Sequence, residues 1–150
     1  MLSTVIAVAG TLLGAVVAGL IQSRAARAAR AATRTDQRHA DELAAMAAFS
    51  AAIAAHRRAM AVREDLRLTG ADPDRVAAAR SESHQTRAAI EEPKVRLAIL
   101  APDLARAAED AAQATYALRG APDPDTLTAR REAAIEAGHR FVTAAARRFA

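Results

Sequence analysis

Cysteine and tryptophan are both missing from this chain of 150 residues. Disulfides and thiolate metal sites are thereby excluded, and the absence of thiols fits a reducing compartment. Aromatic side chains are scarce, with Phe49, Tyr116, Phe141 and Phe149 the complete set. Lysine is nearly absent, Lys94 being the single example. Little therefore titrates between neutrality and the arginines, and a pI of about 10.8 exaggerates a formal charge of only +4. From Gln22 through Leu68 there is neither proline nor glycine, so nothing in that span breaks a helix. No alternating strand pattern occurs anywhere. The chain also lacks a G-x-S-x-G elbow, a G-x-x-x-x-G-K-[ST] phosphate loop and an H-E-x-x-H pair. Ser81 and Ser83 lie close to His84, but neighbouring helical positions point to different faces and no acid is placed to orient the imidazole. No enzyme is expected, and no catalytic residue or cofactor.

What the sequence has in abundance is alanine, which makes up most of its 52% hydrophobic content. Alanine is the strongest helix former yet buries little apolar area, so helices should form readily around a thin shared core. Help from a membrane or from copies of the same chain is implied. Leu2–Ile21, LSTVIAVAGTLLGAVVAGLI, carries no charge, and as a helix it reaches about 30 Å, the thickness of a bilayer core. Arg24, Arg27, Arg30, Arg34 and Arg38 follow on one side only. That asymmetry predicts a single-pass inner-membrane protein with its N-terminus outside and its C-terminal domain cytoplasmic. Gly10, Gly14 and Ala18, spaced four apart, form a groove where a second helix backbone could approach, a signature of self-association in the membrane. The five arginines against Asp36 account for the whole net charge. They form a basic stripe that meets anionic headgroups, so the bilayer and further copies of the chain are the expected partners and direct nucleic-acid binding is not expected. The organisation read from this is an anchor over 1–22, a basic juxtamembrane helix over 23–38 and a helical bundle over 39–150.

The anchor helix should run on as a rod with an apolar stripe at Leu43, Met46, Phe49, Ile53, Met60 and Leu66 or Arg67. Thr69-Gly70-Ala71-Asp72-Pro73 ends it, Gly70 closing one helix and Asp72 with Pro73 starting the next. That second helix continues to about Leu100 with an interruption at Pro93. A third spans Pro102–Leu118 with Leu104, Ala108, Ala111, Thr115 and Leu118 on one side. After the Gly120–Asp125 loop a fourth runs to about Arg148, carrying Leu127, Ile135, Phe141 or Val142, and Phe149. The fold class is all-α: a transmembrane helix continuing into a long cytoplasmic helix packed in a small antiparallel bundle. A turn centred near residue 71 places His56 level with Gln85 and Thr86, within a turn of His84. With Arg63 and Arg87 nearby, these histidines read as a polar layer that fixes the register of weakly packed helices. A metal is disfavoured because it wants more ligands and the arginines oppose further positive charge.

The order of segments is the apolar run, HRRAM at His56–Met60, SHQTRAA at Ser83–Ala89, a proline-broken helix, ATYALR at Ala114–Arg119 and HRFVTAA at His139–Ala145. It resembles the KilB-type proteins of actinomycete conjugative plasmids and integrated elements over nearly the whole chain. The resemblance implies a small membrane-associated protein of plasmid transfer or spread, with other transfer proteins as partners and no catalytic residues. Two functions fit: a membrane-anchored, self-associating scaffold or partner-binding element, and a pore-forming, membrane-perturbing protein of the holin type. DNA tethering through residues 24–38 is a weaker third.

Overall fold

The computed structural model describes the backbone of residues 2–149 and the side chains of residues 22–149, apart from Ala25 and Ala28. Every regular element among them is helical: α1 (Leu2–Leu68), α2 (Pro73–Ala88), α3 (Glu91–Leu100), α4 (Ala105–Tyr116) and α5 (Pro124–Arg147), with one 3-10 turn at Pro102–Leu104. By contacts the chain separates into two units, Met1–Ala40 and Asp41–Ala150.

The expectation of a single-pass inner-membrane protein is corrected. Among the described residues no helix is long and apolar enough to cross a membrane. The physical reason lies in α1 from Gln22 onward, where an arginine recurs every third or fourth residue through Arg38, a density of charge that no bilayer core accommodates. The side chains of the proposed span, Leu2–Ile21, and with them Gly10, Gly14 and Ala18, lie outside the described residues. The pore-forming alternative rested on that same span and likewise lies outside the described residues.

In the first unit Arg24, Arg27, Arg30, Arg34 and Arg38 are all exposed. Thr33 and Thr35 donate their hydroxyls to the carbonyls of Ala29 and Ala31 at 3.0 and 3.1 Å, the usual outlet for a threonine inside a helix.

In the second unit the helix ends follow from local chemistry. Gly70 closes α1 with φ 65°, a left-handed conformation that only glycine adopts without steric cost. Asp72 then accepts hydrogen bonds from the N–H groups of Asp74 and Arg75 at 2.9 and 3.4 Å. Pro73 takes the first helical position, where it has no hydrogen bond to lose. Asp123 and Pro124 repeat the arrangement at α5, Asp123 accepting from the Thr126 N–H at 2.6 Å and from its hydroxyl at 3.0 Å. The break between α2 and α3 falls just before Pro93 rather than on it. Inside a longer helix that ring would clash with the carbonyl of residue 89 and could not donate to it. The chain turns at Ala89–Ile90 instead, leaving Pro93 in the first turn of α3.

One face of α1 is buried in the second unit, and it runs Glu42, Met46, Phe49, Ile53, His56, Met60, Glu64, in steps of three or four as a helix face requires. Leu43, expected on this stripe, sits one position off it and is 59% exposed. Phe49 meets Phe141 of α5 edge to face, ring centroids 4.9 Å apart, at the centre of a core otherwise filled by Ile90, Leu97, Leu104 and small alanines. Leu104, Ala108, Ala111, Thr115 and Leu118 are all buried. Glu42 reaches Arg148 at one end of α5 while Glu64 reaches Gly120 just before its other end. α1 and α5 therefore run antiparallel, as do α1 and α2, which meet at His56–Thr86 and Arg63–Ser83.

Candidate functional site

Three polar residues fall on the buried stripe of α1, and each had to find partners there because an unpaired buried polar group is costly. His56, 2% exposed, brings Nδ1 to 3.0 Å from Thr86 Oγ1. The Thr86 hydroxyl is itself directed at the carbonyl of Glu82 at 3.0 Å. Its single proton is thus committed, so Oγ1 accepts and the imidazole donates from Nδ1–H. Neutral His56 then keeps a lone pair on Nε2. Burial, followed by the charges of Arg87 and Arg63, lowers the His56 pKa to about 4. One turn along, Arg63 donates to Ser83 Oγ at 3.2 Å, and Ser83 donates its own hydroxyl to the Arg80 carbonyl at 2.7 Å. Arg87 lies flat over the Tyr116 ring, 3.5 Å from its centroid, and His56 meets the same ring edge-on at 5.7 Å. The structure thus joins His56, Arg63 and Arg87 in one layer between α1, α2 and α4. His84 is exposed at the rim of the same groove.

At the foot of α1 the wiring differs. Glu64, 1% exposed, accepts from Arg67 Nε at 2.7 Å and from the Gly120 N–H at 3.2 Å, with Arg63 Nε at 3.7 Å. Arg67 also donates to the Ala121 carbonyl. At the other end Arg148 donates to Glu42 at 3.0 Å and to Asp103. Those two hydrogen bonds raise its pKa. These two clamps were not singled out in the sequence, although a signal for them exists: Glu42 and Glu64 each stand four residues from a methionine of the apolar stripe, where a helix turns them inward. Thr86 was placed level with His56 without a role, and Tyr116 was missed, since its role depends on which helices meet.

Among the described residues no three His, Asp or Glu side chains gather as a metal would need. Ser83, with its proton on a backbone carbonyl, has no base facing it.

A family model described as KilB plasmid transfer protein matches residues 43–149, the span of the bundle. The chain is 54% identical to Protein KilB of Streptomyces lividans over 149 residues, covering 99% of each. No solved structure matches. Sequence and relatives agree on one point: this chain belongs to the KilB plasmid transfer family.

Proposed function

We propose that the chain serves plasmid transfer as a non-enzymatic helical element, associating with copies of itself and binding other transfer proteins. The observation that carries this reading is an apolar strip at the seam of α1 and α5. Leu43, Val142 and Phe149 stand there 59%, 50% and 46% exposed. They border an open groove of about 230 Å³ that is floored by Met46 and Ala145. Burying such side chains is worth roughly 1.5–3 kcal/mol each when complete, and an alanine-rich core gives little of that within one copy. The buried carboxylates Glu42 and Glu64 favour the same reading, because both are engaged in joining distant segments of the bundle.

The test is sedimentation of the full chain beside its Leu43→Asp/Val142→Asp double variant, with plasmid-transfer frequency measured for both. Both positions are exposed, so helix content should be unchanged. The wild-type chain should assemble, and the double variant should sediment as a monomer and transfer poorly. Equal assembly of the two would refute the reading.

A further inference from the structure

The groove between α1, α2 and α4 has a volume of about 490 Å³, and its nine lining residues include Arg63, Arg87, Arg119, His56 and His84 but no acid. Two carboxylates beside the lining residues are already engaged. Glu64 is held by Arg67 and Gly120, and Glu109 is held by Lys94 at 2.6 Å and by Gln113 at 2.6 Å. Arg63 donates to Ser83 and has the Glu64 carboxylate at 3.7 Å. Arg87 rests on an aromatic face and is exposed, and Arg119, also exposed, lines the same groove. Neither guanidinium meets a carboxylate among the described residues. Two guanidiniums lining one groove without a counter-charge of their own are unfavourable unless water or a bound anion compensates, and guanidinium matches the geometry of phosphate oxygens.

His56 adds no charge to the groove, because burial, followed by the charges of Arg87 and Arg63, keeps its imidazole neutral near pH 7. The arginines alone therefore set the charge a ligand would meet. Near neutrality a phosphate monoester, with a second pKa of about 6, is mostly a dianion, the form that arginines bind best.

We propose that this groove binds a phosphate monoester as its dianion, the phosphate oxygens held by Arg87 and Arg119 with Arg63 beside them. The volume exceeds what inorganic phosphate needs and falls in the range of small-molecule sites, about 300–1,000 Å³. The ligand therefore carries an organic part of about the size of a nucleoside.

Titration calorimetry of the full chain with inorganic phosphate, adenosine 5′-monophosphate and sulfate tests this. The monoester should bind saturably, and inorganic phosphate and sulfate at least ten-fold more weakly, because they leave the rest of the groove empty. Arg87→Ala and Arg119→Ala should each weaken monoester binding about ten-fold, whereas Arg96→Ala, a surface change of the same charge on α3, should leave it unchanged. Arg119 makes no side-chain hydrogen bond among the described residues, so that variant reads binding even if Arg87→Ala disturbs the fold. No saturable binding, a monoester bound no more tightly than sulfate or phosphate, or an equal loss in Arg96→Ala would overturn the proposal.

Discussion

Where α1 ends, Arg67 closes on a buried carboxylate, a backbone carbonyl and, through Glu64, the turn after α4. Arg87, on α2, lies on the Tyr116 ring and meets no carboxylate. Both are arginines of one small bundle, and both bridge helices. The difference is that the first cluster is electrostatically closed and the second is open. Closed clusters stabilise a fold because every donor and acceptor is matched; breaking one leaves an uncompensated buried group. Open cationic ones contribute little to folding and retain the capacity to bind.

The comparison can be broken at several points. The largest effect should come from Glu64→Gln, which removes the negative charge from a buried site and leaves Arg67 and Gly120 poorly matched. A loss of roughly 3 kcal/mol is expected, measurable by urea denaturation of the full chain.

Next in size is acid. Unfolded, His56 takes a proton near its ordinary value of 6.5, but folded it holds out to about 4. The unfolded state therefore binds more protons within that window. The stability contributed by neutral His56 is complete above pH 6.5 and is lost as the pH falls toward 4. About 2 kcal/mol should disappear between pH 7 and 4.5, and His56→Asn should flatten that slope. An unchanged slope would mean that the imidazole is not held neutral. Thr86→Val deprives Nδ1–H of its acceptor and should cost about 1 kcal/mol at neutral pH. Smallest is Arg87→Ala, which loses a cation–π contact of about 0.5–1 kcal/mol at an exposed position.

Much of the bundle was legible in the sequence because helix ends are local. Gly70, Asp72 with Pro73, and Asp123 with Pro124 decide three boundaries through contacts no more than a few residues away. The level of His56 with Thr86 followed from one turn and a constant rise. Less accessible was anything that joins distant segments. Glu64 finds Gly120 across 56 positions, and Arg148 finds Glu42 across 106. Leu43 looked like a core residue because it is large and apolar, yet Glu42 took the inward place once Arg148 was there to pair with it. The anchor was read from an uncharged run alone, and no described helix supports it.

Thermal melts of full-length Arg67→Ala and Arg87→Ala, run side by side with wild type in phosphate-free buffer, test most directly whether the two arginine clusters differ in kind. The Arg67→Ala chain should melt several degrees lower, as about 1–2 kcal/mol is lost with a hydrogen-bonded charge pair, and Arg87→Ala should melt close to wild type. A larger drop for Arg87→Ala than for Arg67→Ala would contradict the account, since the open groove would then be holding the fold.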